Sequence, residues 1–168
     1  HFYERNSFNP NSDAHLLATI SSWPADQYLN IWVCGLSGNY LGIAQFPSVA
    51  DIPGLTEEDT NLALTDGVII DYRYFGNEGV VSMNSKYNMG RTTTHEVGHW
   101  LGLLHTWGDQ LCGDDCCEDT PTIERSNNDA ISCDDVYSRC RGMLSRNMIE
   151  NYMDYSPDGC MNTFTFNQ

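Results

Sequence analysis

Basic residues are scarce in this chain. Eight Lys and Arg stand against 23 Asp and Glu in 168 residues, a formal charge of -15 at pH 7. That balance argues against a nucleic-acid partner, because phosphates would be repelled. It suits cationic peptides and calcium, and plain solubility accounts for it equally well. No stretch reaches the roughly 20 apolar residues of a membrane-spanning helix, which leaves no membrane span. An initiator methionine and the apolar core of a signal peptide are also missing, so a sequence that opens at His1 reads as a processed or trimmed piece. There is no internal repeat and no low-complexity tract, and a chain of 168 residues is of single-domain size.

None of the seven cysteines has the spacing of a structural zinc finger. Six of them, Cys112, Cys116, Cys117, Cys133, Cys140 and Cys160, lie in a loop-rich second half. Such a region gains most from cross-links, and disulfides persist in oxidising compartments, which points to a secreted, extracellular protein. Six cysteines allow about 15 pairings, and spacing does not choose among them. Cys34 sits in an apolar, strand-like run and reads as a buried free thiol, since nothing near it in sequence would lower its pKa.

Residues 1–27 read as irregular, with Asn9-Pro10-Asn11-Ser12-Asp13 as turn chemistry. Residues 28–34, 40–46, 67–72 and 79–83 are rich in Val, Ile and aromatics and read as strands. Residues 47–66 read as a loop with a helical turn near Thr56-Glu57-Glu58-Asp59. The Thr92-Thr93-Thr94 run offers hydroxyls to cap a helix that ends near Leu101 or Gly102. Beyond it, loops, disulfides and one short helix are expected.

That helix carries the most informative stretch, His95-Glu96-Val97-Gly98-His99-Trp100-Leu101-Gly102-Leu103-Leu104-His105. His95 and His99 are one turn apart on nearly the same face, so both can reach one metal. Glu96, beside the first ligand, can hold a water without occupying the metal. His105, roughly 240° around a continued helix, can ligate only if the helix stops and the chain turns back. Gly102 permits this, because glycine adopts the left-handed conformation of a helix end at little cost. Three imidazoles with an open fourth position match catalytic rather than structural zinc. A buried helix that merely carries histidines has no reason to place the glycine and the third histidine at these offsets.

The eleven residues resemble the long zinc signature of the metzincin metallopeptidases. Downstream, Asn151-Tyr152-Met153-Asp154-Tyr155 resembles the metzincin methionine turn, which implies that Met153 supplies a soft hydrophobic base for the imidazoles. Tyr155 then matches a tyrosine that binds zinc or donates a hydrogen bond to the developing oxyanion; the other reading is a structural tyrosine. Tyr28–Cys34, Gly42–Pro47, Asp66–Ile70, Trp107-Gly108-Asp109 and Glu118-Asp119-Thr120-Pro121 narrow the resemblance to the pappalysin group, which includes cytophagalysin-like and ulilysin-like peptidases. It runs from about Tyr28 to Asn167.

The resemblance implies one α+β catalytic domain over residues 1–168: a twisted mixed sheet and the zinc helix above a cleft, and an irregular, disulfide-linked part below. It also implies that this chain lacks the family's usual first strand and backing helix and its C-terminal helix. Disulfides Cys133–Cys160 and Cys117–Cys140 follow from it, with Cys112–Cys116 as a local bridge. Asp114, Asp115, Glu118 and Asp119, with Thr120 alongside and Asp109 nearby, crowd one loop. A hard cation with six to eight oxygen ligands relieves such crowding, and pappalysin-like enzymes carry calcium near the D-T-P segment; the other reading is a solvated acidic loop. Relatives that favour Arg or Lys after the scissile bond carry an acidic residue just before the last cysteine. Here Gly159 holds that position, and Asp158, one step earlier, either substitutes or the preference is lost.

The expected function is a secreted zinc endopeptidase acting on peptides or proteins, with a zinc-activated water and Glu96 as general base. The alternative is a catalytically silent binding module of the same fold. Oligomeric state is not legible.

Overall fold

Among the described residues, three strands form a mixed sheet, and the middle one is buried along its whole length. A computed structural model describes residues 7–46, 66–76 and 85–168. The expected strand at 79–83 and the expected helical turn at 56–59 lie outside these residues. The chain divides into two compact units, His1–Gly102 and Leu103–Gln168.

In the first unit, β1 (Asn30–Cys34), β2 (Gly42–Ala44) and β3 (Gly67–Asp71) form a mixed sheet of order β1-β3-β2. β1 runs parallel to β3 in the register Trp32↔Ile69, and β2 antiparallel to it in the register Ile43↔Ile69. β3 is covered on both faces, which explains why Gly67-Val68-Ile69-Ile70 reads as an unbroken apolar run. The core gathers Phe8, Leu17, Leu36 and Ile69, with Trp32, Cys34 and Ile43 packed against it. Cys34 is a free thiol as expected, but it is only half buried.

Residues 10–20, expected to be irregular, form helix α1 (Pro10–Ile20). The supposed turn residues are its start. The Asn9 side chain accepts from the Asn11 amide at 3.0 Å, Pro10 occupies the first turn where its missing N–H costs nothing, and the Asn9 amide donates to Asp13 Oδ2 at 2.9 Å. At the far end of β3, fully buried Asp71 accepts from the Leu36 amide at 2.9 Å and from Arg73 Nε and Nη2 at 2.8 and 2.9 Å.

The second helix, α2 (Arg91–Trp100), starts one residue before the threonine run. No threonine caps it. Gly90, with φ 71°, stands at the N-cap without a side-chain hydrogen bond, and the Thr93 hydroxyl instead donates to the Phe75 carbonyl at 3.4 Å. Its last turn closes with Leu101 N–H on the Val97 and Gly98 carbonyls and Gly102 N–H on His99.

The second unit contains a hairpin where a short helix was expected. β4 (Tyr137–Cys140) and β5 (Met143–Arg146) pair antiparallel, Cys140 opposite Met143. Arg141 and Gly142 between them both have positive φ, 51° and 83°, the two-residue turn whose twist matches paired strands. Two disulfides bind the unit, Cys112–Cys140 and Cys133–Cys160. The second is the expected pair. The first corrects both other expectations: Cys140 joins Cys112 rather than Cys117, and Cys116 and Cys117 are free thiols. No helix among the described residues is long and apolar enough to cross a membrane.

Candidate functional site

Helix α2 buries one face, and that face is chemical. His95, Glu96 and His99 are each 7–8 % exposed. The i, i+4 spacing brings His95 Nε2 to 3.1 Å from His99 Nε2, with the rings edge to face at 87°. Two imidazole nitrogens on one tetrahedral zinc, each at about 2.0–2.1 Å, stand about 3.3 Å apart. The pair therefore fits zinc with almost no rearrangement. Phe46 packs its ring against His99, centroids 5.4 Å apart.

Glu96 lies against β2. A Cβ on Gly42 would fall 2.7 Å from Glu96 Cγ, so this strand position has room only for glycine. Burial pushes the Glu96 carboxyl up to about 8. The helix then ends as its sequence predicts: Gly102 has φ 100°, a left-handed conformation that side chains rarely adopt.

His105, in the second unit, is held on three sides. Trp107 stacks on its ring at 4.2 Å and 11°, and Tyr155 meets its edge at 4.9 Å and 72°. Asp109 Oδ1 lies 2.6 Å from Nδ1. Carboxylate oxygens only accept, so Nδ1 donates, which leaves Nε2 as the nitrogen able to face a metal. Among the described residues, His95, His99 and His105 make up a set of three ligand-type side chains able to hold a metal ion. Neutral imidazoles are a zinc-type donor set.

The methionine turn follows in the same unit. Met153 is fully buried; its amide donates to Asn151 Oδ1 at 2.8 Å and its carbonyl accepts from the Thr106 amide at 3.2 Å, one residue after His105. Asp154 is fully buried beneath it, accepting from the Asn127 amide at 3.1 Å, Asn127 Nδ2 at 2.5 Å and the Ser156 hydroxyl at 2.6 Å. Asn147 Nδ2 donates in turn to Asn127 Oδ1. Tyr155 is 38 % exposed, and its ring holds the edge of His105.

In the acidic loop, Asp115 is 5 % exposed, and its Oδ2 is buried close to the buried Thr120 Oγ1. Burial raises the Asp115 carboxyl. Asp114 and Glu118 are exposed, and Asp119 Oδ2 accepts from the Asn167 amide at 3.0 Å. Asp158 is 2 % exposed. Sequence reasoning did not single out Gly42, Phe46 or the Asp109–His105 pair. The four-residue step from His105 to Asp109 was the available signal for the last.

Residues 16–168 match the peptidase family M43, described as pregnancy-associated plasma protein-A. An extracellular metalloprotease of Colletotrichum graminicola is 36% identical over 131 residues, covering 77% of this chain and 42% of that protein. Extracellular metalloprotease 1 of Coccidioides posadasii is 36% identical over 168 residues, covering 96% of this chain and 55% of that protein. The chain thus spans about half the length of the curated relatives it matches. Among solved structures, mature mirolysin of Tannerella forsythia in complex with a cleaved peptide superposes with a TM-score of 0.74 at 38% identity, covering 95% of this chain and 57% of that one.

Proposed function

This chain belongs to the M43, or pappalysin, family of metzincin metallopeptidases, and from that premise we propose that it is the zinc-binding part of a secreted endopeptidase. The observation that carries the reading is the His95–His99 pair, preset at a zinc-ligand separation beside the buried carboxylate of Glu96. Extracellular relatives and two disulfides support secretion.

His95, His99 and His105 would hold the zinc. When bound, zinc supplies Lewis acidity that makes water a competent nucleophile near neutral pH. Glu96 accepts the proton of the attacking water and passes it to the leaving amine. A cation beside Glu96 favours its carboxylate form, opposing the upward push of burial. The Tyr155 hydroxyl donates to the oxyanion as it develops. Met153 carries the turn that places Tyr155 and holds the backbone next to His105.

Two finer readings accompany this one. The buried carboxylate of Asp115 beside the Thr120 hydroxyl suits a calcium ion, with Asp114, Glu118 and Asp119 completing an oxygen set. Asp158 would select Arg or Lys after the scissile bond.

The test is digestion of a peptide library by zinc-loaded protein in calcium buffer beside its Glu96→Ala variant, with cut sites mapped by mass spectrometry. Cuts by the wild type alone are expected, and basic residues following them would support Asp158. Zinc occupancy without turnover would point instead to a silent binding module. Loss of thermal stability in a calcium-selective chelator, at constant zinc content, tests the calcium reading.

A further inference from the structure

Two of the three histidines are aimed by a helix, and the third is not. His95 and His99 inherit their direction from α2. His105 follows the helix end on a loop, where one backbone torsion could swing its ring away. Something must aim it, and the loop holds a built device. Gly108 and Asp109 both have left-handed φ, 58° and 55°. Gly108 N–H first closes a turn on the His105 carbonyl at 2.8 Å, and the two left-handed residues then bend the chain further. The turn brings the Asp109 carboxylate back to its own i−4 neighbour, 2.6 Å from His105 Nδ1.

Left-handed φ is uncommon outside glycine, and Asp is among the residues that tolerate it. A side chain held there at a site is a sign of a functional constraint. Trp107 closes one face of the ring and Tyr155 meets it edge-on, so the ring cannot tip freely.

We propose that Asp109 is a positioning residue for the metal. Its carboxylate fixes the His105 ring so that Nε2 is the presented donor and makes that nitrogen a stronger ligand. The proposal rests on the reading that His105 binds zinc. A carboxylate on the far nitrogen of a ligating histidine raises ligand basicity, and removing such a partner weakens metal affinity 10–100-fold in general.

The experiment measures zinc affinity of the full chain by chelator competition for wild type, Asp109→Ala, Asp109→Asn and His105→Ala. The visible spectrum of the cobalt(II)-substituted protein and the melting temperature of the metal-free protein are recorded alongside. Nitrogen-15 shifts of the metal-free protein report which His105 nitrogen carries hydrogen. Asp109→Ala is expected to bind zinc about 10–100-fold more weakly, with Asp109→Asn between it and wild type. Hydrogen on Nδ1 of His105 should be partly lost, and the metal-free melting temperature should be unchanged in Asp109→Asn, which tolerates the same left-handed backbone. If His105→Ala weakens binding and Asp109→Ala stays within twofold of wild type, the positioning role is overturned. A drop in the metal-free melting temperature of Asp109→Asn parallel to its loss of zinc affinity would assign Asp109 to the loop fold and also overturn it. Wild-type zinc affinity in His105→Ala would instead sink the reading of His105 as a ligand.

Discussion

Gly42 of β2 and Glu96 of α2 are in direct apposition: a Cβ on Gly42 would stand 2.7 Å from Glu96 Cγ, 2.9 Å from Oε1 and 3.0 Å from Ile70 Cδ1. The carboxylate therefore has its position set by an absent side chain. Gly42→Ala is expected to displace Glu96 while sparing the histidines. Misplacement by about 1 Å can cost 10²-fold in rate, so turnover should fall by one to two orders of magnitude. Zinc content should stay at wild type. Steady-state kinetics with metal analysis check this, the loss appearing in kcat rather than KM.

Asp71 predicts acid sensitivity. Burial works against its charge, but hydrogen bonds from the Arg73 side chain and the Leu36 and Arg73 amides outweigh it and hold the carboxyl below its ordinary value. Such a group contributes stability above its unfolded value of about 3.9, and the contribution is lost as pH falls through the folded value. Arg73→Leu should raise the Asp71 carboxyl and move the acid-unfolding midpoint to higher pH. It should also cost roughly 1–3 kcal/mol at neutral pH, tempered by the half-exposed guanidinium. Chemical denaturation at several pH values reads both.

The disulfides make a contrasting pair of predictions. Cys133 and Cys160 are 27 residues apart, a loop whose closure restricts the unfolded chain by about 3.5 kcal/mol. The double serine variant at these positions should lose stability of that order. Serine at Cys116 or Cys117 should change it by less than about 1 kcal/mol, since both are free thiols. Non-reducing peptide mapping would show Cys112 joined to Cys140.

Asp154 gathers three donors from Asn127 and Ser156 in a site with no access to water. Asp154→Ala strands all three, and each buried unsatisfied group costs about 1–3 kcal/mol. Thermal unfolding should show a loss of at least about 3 kcal/mol. Tyr155 is the next residue, so turnover should drop further than zinc affinity does.

What the sequence made legible was local. His95, Glu96, His99 and Gly102 are related by helix period and by the conformational freedom of one glycine, and the structure places them as that geometry requires. β3 was legible because burial on both faces leaves an unbroken apolar run. Other features depend on contacts far apart in sequence or on residues with two uses. Asn9-Pro10 serves turns and helix starts alike, and it became the cap of α1 because Leu17 packs with Phe8 and Leu36. The β4–β5 hairpin is short and mostly exposed, so its alternation is faint against the surrounding loops. Cysteine partners are chosen in space: β4 carries Cys140 to Cys112, and nothing in the spacing of Cys112, Cys116 and Cys117 could say which. Gly42 stood out only as the start of a strand-like segment, because its role beside Glu96 exists only once β2 meets α2.

The two cross-links interlace along the chain. Cys133 lies inside the loop closed by Cys112–Cys140, and Cys140 lies inside the loop closed by Cys133–Cys160. A single backbone break anywhere from Cys112 to Cys160 therefore leaves both pieces tethered: by the first bridge before Cys133, by the second after Cys140, and by both in between. Under the proposed peptidase activity, this is durability against nicks made by other copies of the chain. A molecule cut once there would separate into fragments only under reducing conditions.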